Sequence, residues 1–140
     1  MTANIRPAEP RDADALFRLV RELAITYKPT RDAFDASFHR ILDSGHQLLL
    51  VAETERTING YVMATESATL YANGPTTELM ELIVEEPQRS GGLGRLLVQA
   101  VIEWARSRHC IEVNVPSRRA GAYYVSLGFE EAAPRYRYKL

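Results

Sequence analysis

Apolar positions along the chain fall into two periods, and the change of period marks the elements. Residues 4–7 read as a short first strand. Leu16, Leu19, Val20, Leu23, Ala24 and Tyr27 then recur at the helical period and predict one buried stripe. This helix starts near Asp12, which with Asp14 suits the positive end of the helix dipole, and Pro29 marks its stop. Phe34, Phe38, Ile41 and Leu42 predict a second helix over roughly 31–43, ended by Ser44-Gly45.

Beyond Gly45 the period changes. "QLLLVAE" (47–53) is a nearly continuous apolar run, as in a strand covered on both faces. "ERTING" predicts a turn and "YVMATES" (61–67) the returning strand of a hairpin. "LYANGPTT" is a loop punctuated by Asn73-Gly74-Pro75, and "ELMELIV" (78–84) is a further strand closed by Pro87. A helix follows to about Arg108, with Leu96, Leu97, Ala100, Val101 and Trp104 as its buried face. "IEVNV" (111–115) reads as a strand, "RRAGAYYVSLG" (118–128) as a short helix with a glycine stop, and "RYRYKL" (135–140) as a final strand. The order β-αα-βββ-α-β-α-ββ predicts a mixed α/β sheet with one parallel crossover through the 94–108 helix.

Composition narrows the class. The 140 residues are expected to form a single domain, 1–140, with a proper core. A net charge of −1 gives no overall basic field, so neither nucleic acid nor an anionic membrane is expected as a partner. The first residues carry no apolar core of a secretory signal, and no apolar run is long enough to span a bilayer. The single cysteine, Cys110, excludes an internal disulfide and is expected as a buried thiol at a strand edge. A cytoplasmic protein is the expectation. His39, His46 and His109 are scattered without a second ligand at helical or turn spacing, so no metal site is expected.

The chemistry begins at "PQRSGGLGRLLVQAVIEWA" (87–105). A strand, then glycines, then a helix N-terminus makes an anion site, because unpaired N–H groups and the helix dipole meet where no side chain intervenes. Arg89 and Arg95 add charge at the same edge. The plainer reading is a tight strand-to-helix turn, which glycines also serve. The stretch is not a Walker A loop, since "RLLV" follows the glycines, and Leu97 stands where a dinucleotide fingerprint needs its third glycine. It does fit R-x-x-G-x-G, as Arg89-Ser90-Gly91-Gly92-Leu93-Gly94.

"LMELIV", Pro87, "RSGGLG" and the following helix resemble the acetyl-CoA motif of the GNAT superfamily of N-acetyltransferases. "IEVNVPSRRAGAYYVSLGFE" resembles that family's second block, with Ala120, Tyr124, Gly128 and Phe129 matching and Ser117 in place of its asparagine. The order of elements matches along essentially the whole chain. The resemblance implies splayed central strands, acetyl-CoA as cosubstrate and no metal. It places the coenzyme A pyrophosphate on the amides of residues 90–95 and the pantetheine arm along Leu82, Ile83 and Val84. The Leu82 amide would polarise the acetyl carbonyl. Ser117 is shorter than the usual asparagine, so its cofactor contact would be weaker or routed through water. The resemblance also allows a homodimer.

Acetyl transfer to an amine poses two proton problems. A lysine-like amine is roughly 0.04% neutral at pH 7, and the departing thiolate, with a thiol pKa near 8.5, benefits from an acid. Tyr124 matches the family's acid on the thiolate; the competing role is a packed ring. Tyr123 is expected to face elsewhere and join the core. For the base, the order of preference is Glu112, Glu81 and then Glu78, with a water relay as the alternative and an exposed strand carboxylate as the plain reading of each. Strand alternation puts Glu81 on the face opposite Glu78.

The family's acceptor cleft maps to about residues 27–38, 68–77 and 130–136, where Tyr27, Asp32, Asp35, Tyr71 and Tyr136 could receive a cation. The expected activity is N-acetylation of a small primary amine or amino acid-like molecule. A peptide N-terminus or lysine is the alternative acceptor, and a non-catalytic acyl-CoA sensor is the alternative class.

Overall fold

A computed structural model describes residues 3–24, 26–85, 92–117, 120–133 and 135–140. Its elements are β1 (Asn4–Pro7), α1 (Ala13–Leu23), α2 (Arg31–Asp43), β2 (Gln47–Thr54), β3 (Thr57–Ser67), β4 (Thr76–Val84), α3 (Leu93–Ser107), β5 (Val113–Asn114) and α4 (Gly121–Ser126). The sheet runs β1-β2-β3-β4-β5. Its first four strands are antiparallel and β5 joins parallel to β4.

The mixed α/β class holds, while several elements differ from their expected bounds. α1 ends at Leu23, before Pro29, so Tyr27 leaves the buried stripe and stands exposed. The β2–β3 hairpin turns at Glu55 and Arg56 alone, both at positive φ, as a primed two-residue turn requires. β3 therefore begins at Thr57 and absorbs most of "ERTING". The buried positions of α3 are Leu93, Leu97, Val98, Val101 and Ala105, with Leu96 at 46% exposure, so its face is turned from the expected one. Strand 111–115 shrinks to Val113–Asn114, and residues 135–140 form no strand. "RYRYKL" carries a charge at every second position and finds no sheet partner here, so alternation alone does not make it a strand.

Two cores flank the sheet. On one face Leu16 and Leu19 of α1 and Phe38 of α2 pack with Val51, Ile58, Tyr61 and Ile83. On the other, Leu93, Leu97, Val98 and Val101 of α3 cover Leu50, Val62, Ala64, Leu79 and Val84. The α2 entrance is capped by Thr30, whose Oγ1 accepts from the Ala33 amide at 3.4 Å. Ahead of α1, buried Asp12 takes both terminal nitrogens of Arg6 at 2.9 Å and the Glu9 amide at 2.8 Å. Asp12 therefore clamps β1 to α1, and Arg6 holds its carboxyl below the usual aspartate range.

Candidate active site

β4 is irregular at its centre. Met63 pairs with Glu81 and Ala64 with Leu79, leaving Met80 as an extra residue in a β-bulge. The bulge shifts the side-chain alternation. Leu79 packs on the α3 side, whereas Ile83 packs on the α1–α2 side, so Glu78 and Glu81 come to the same α1–α2 face. This corrects the expectation from strict alternation, which put the two carboxylates on opposite faces.

β5 pairs with β4 only at Thr77 and Glu78, supported by Ile111 N–H to Pro75 O at 2.8 Å and Thr77 N–H to Glu112 O at 3.0 Å. Past Glu78, β5 no longer pairs with β4, which leaves a cleft side on β4 that no described strand covers. The Glu85 amide bonds Asn59 on β3 at 2.8 Å. Counting back by alternation turns the Leu82 amide away from β3, toward that cleft. The Leu82 side chain packs against the α3-side core, as does Val84, while Ile83 belongs to the other core.

At the far end of the cleft α3 begins on Gly92, whose φ of 80° is left-handed and suits glycine. Leu93 anchors the turn in the core, and the first helical bond runs from Leu96 N–H to Gly92 O at 3.1 Å. The amides of Leu93, Gly94 and Arg95 precede that bond and have no acceptor within the helix. The first turn carries no acidic residue, and Arg95 is exposed there. A bare cationic helix end beside an open strand edge fits an extended, anion-bearing arm such as that of coenzyme A. Arg89, Ser90 and Gly91, assigned to the same turn, lie outside the described residues.

α4 delivers two tyrosines, with roles different from those expected. Tyr123 is not a core residue. It is 39% exposed, and its hydroxyl lies 2.9 Å from where a Cβ on Gly94 would stand. Tyr124 packs on the α3-side core with Phe129 at a ring separation of 5.6 Å. No hydrogen-bond partner meets its hydroxyl among the described residues. Burial pushes both phenols up, with Arg95 opposing the shift on Tyr123. Ser117 Oγ accepts from the Ala120 amide at 3.0 Å, so this residue opens α4.

The three glutamates are placed unequally. Glu112 is exposed at the foot of β5, and its carbonyl serves the ladder. Glu78 faces Arg135 of the C-terminal segment at 3.2 Å. Glu81 accepts a hydrogen bond from the buried Tyr61 hydroxyl at 2.7 Å. Asp35 is engaged by Arg31 at 2.8 Å, whereas Asp32 sits exposed in the first turn of α2. Tyr71 and Tyr136 are exposed, and the Lys139 ammonium lies 5.2 Å from the Tyr27 ring. Cys110, half-buried, accepts from Thr77 Oγ1 at 3.1 Å. Among the described residues no group of His, Cys, Asp and Glu could hold a metal. Nor is any described helix long and apolar enough to cross a membrane.

Sequence reasoning missed Tyr61, because a lone tyrosine inside an apolar strand reads as core. It also missed the Glu66 cluster, where Arg108 at 2.7 Å and His46 at 3.1 Å meet one carboxylate beside a cavity of about 320 Å³. That cavity lies against loop 68–75, at the end of β4 remote from the start of α3.

The model of the acetyltransferase (GNAT) family matches residues 14–129. The chain belongs to the GNAT family. A curated rice (Oryza sativa subsp. japonica) relative, glucosamine 6-phosphate N-acetyltransferase 1, is 31% identical over 134 residues, covering 91% of this chain and 81% of the relative. Among solved structures, an aminoglycoside N-acetyltransferase in complex with CoA superposes with a TM-score of 0.87 at 20% identity, over 99% of this chain and 95% of its own. Glucosamine-6-phosphate N-acetyltransferase from Arabidopsis thaliana does so with a TM-score of 0.87 at 21% identity, over 99% of each. This GNAT chain is an acetyl-CoA-dependent N-acetyltransferase.

Proposed function

We propose that the chain acetylates a small primary amine, with Glu81 as the general base and Tyr124 as the proton donor to the departing thiolate. The observation that carries this reading is the Met80 bulge, which turns Glu81 onto the α1–α2 face beside the open edge of β4. Acetyl-CoA supplies the activated acyl group. Gly92, Leu93, Gly94 and Arg95 would hold its pyrophosphate, together with residues 89–91, and Leu82, Ile83 and Val84 would line its arm. The Leu82 N–H is aimed to stabilise charge on an acyl oxygen.

Glu81 takes the proton that the ammonium must lose before its nitrogen can attack. Tyr124, held protonated by burial, keeps its proton at neutral pH until a thiolate needs it. The rice relative, named for an amino-sugar phosphate, supports a small acceptor over a peptide. So does the exposed, aromatic and acidic surface of Tyr27, Asp32, Tyr71 and Tyr136. The free thiol of Cys110 supports a cytoplasmic setting.

The test is a thiol-release assay with acetyl-CoA and a panel of primary amines: glucosamine 6-phosphate, an aminoglycoside, lysine, a polyamine and a lysine-containing peptide. A small amine should turn over fastest. Glu81→Gln should lower its kcat by at least about 100-fold, the usual contribution of a general base, while Glu112→Gln stays within roughly twofold. Preference for the peptide would reject the acceptor class, and the reverse ranking of the two variants would reject the base.

A further inference from the structure

We infer that Tyr61 is a positioning residue for this reaction, fixing the Glu81 carboxylate through its phenolic O–H. The inference rests on Glu81 acting as the base.

Tyr61 lies on β3 opposite Ile83 and is only 2% exposed, within the core under α1 and α2. A phenol so buried needs a partner for its hydroxyl, and a phenylalanine would fill the apolar site without that need. Its partner is Glu81 Oε1 at 2.7 Å, a charge-assisted hydrogen bond of short length. Among the described residues no other hydrogen bond reaches the Glu81 carboxylate, so of these Tyr61 alone fixes where that group sits, and none of them occupies Oε2.

The bond is a product of the bulge. Were Met80 a paired residue of a regular ladder, residue 81 would share the face of Leu79, on the far side of the sheet from Tyr61. The strand irregularity and the buried hydroxyl thus form one device. The first swings the carboxylate to the acceptor face, and the second stops it from rotating once there. The phenol keeps this role across the working pH range, because burial and the adjacent carboxylate push its ionisation far above neutral.

A structural role alone predicts a loss of stability with kinetics unchanged in the folded fraction. A positioning role predicts a loss that depends on Glu81 being present. The experiment is a double-mutant cycle on Tyr61→Phe, Glu81→Gln and the double variant, using acetyl-CoA and the fastest amine of the panel above. Tyr61→Phe retains the ring and its packing, and active-site titration with acetyl-CoA corrects for unfolded protein. The expected result is a kcat lower by about tenfold, as for one lost hydrogen bond to a charged group, with the KM for acetyl-CoA within twofold. In the Glu81→Gln background the same substitution should change kcat by less than about twofold. An equal fall in both backgrounds, or an unchanged kcat in Tyr61→Phe, overturns the role of Tyr61 and leaves the base standing. A fully active Glu81→Gln enzyme overturns the base itself, and the role of Tyr61 with it.

Discussion

Gly60 stands on β3 directly opposite Val84, where the sheet leaves no room for a side chain. A Cβ at this position would lie 2.8 Å from the Ile83 carbonyl oxygen and 3.4 Å from the Val84 Cα, both backbone atoms. No rotamer change can relieve a contact with backbone, so Gly60→Ala must push β3 and β4 apart by more than half an ångström. Forcing one methyl into a packed site costs about 1–3 kcal/mol. At 140 residues this corresponds to a fall in Tm of roughly 4–10 °C. The displacement falls on Ile83 and Val84, next to the Leu82 amide, so affinity for acetyl-CoA should weaken at the same time. Differential scanning calorimetry with and without the cosubstrate reads both effects: a lower Tm and a smaller ligand-induced increase. A Gly60→Ala protein that melts within about 1 °C of the parent would refute the argument, since the cost predicted for overpacking would then be absent.

Two further outcomes follow from the described contacts. Tyr124→Phe should lower kcat by roughly 10- to 100-fold, the low end of acid–base contributions, with acetyl-CoA binding nearly intact by calorimetric titration. An unchanged kcat would make Tyr124 a packing residue only. Asp12→Asn should cost about 2 kcal/mol at pH 7 in denaturant unfolding, less than a fully broken buried pair because Arg6 retains Glu53. Since Arg6 depresses the Asp12 pKa, the pair's contribution is complete above the ordinary aspartate value near 3.9 and is lost as pH falls through the lower folded value. The stability gap between parent and variant should therefore close in acid, and a gap independent of pH would refute the ion pair as its source.

The helices and central strands were legible because burial imposes a period on sequence. Leu16, Leu19 and Phe38 occupy the expected faces, and the glycines at 92 and 94 stand at a helix mouth as their spacing requires. Errors came where the determinant is not periodic. In α3, Leu96 and Val98 are equally apolar, and only the surroundings decide which one turns inward. At Glu55-Arg56 the hairpin places two residues at positive φ without the asparagine or glycine that signals such a turn. The bulge at Met80 has no sequence mark either, and missing it put Glu81 on the wrong side. The resemblance supplied candidate site residues, but the letters alone do not place the three glutamates. Glu112, Glu81 and Glu78 look alike as letters, and only pairing separates an exposed carboxylate, one held by a phenol and one facing Arg135.

The bulge also divides β4 into two segments with opposite phase. Upstream of Met80, odd-numbered side chains face α3; downstream, even-numbered ones do. Deleting Met80 would restore a single phase and leave every neighbour on its present face, whereas a deletion away from the bulge would turn the residues between it and the bulge to the wrong faces, sending buried leucines to the solvent face or carboxylates into the core. Insertions and deletions elsewhere in a sheet can be absorbed by loops. Away from the bulge the count of residues in β4 is itself information, so there the strand should tolerate exchange of side chains far better than any change in its length.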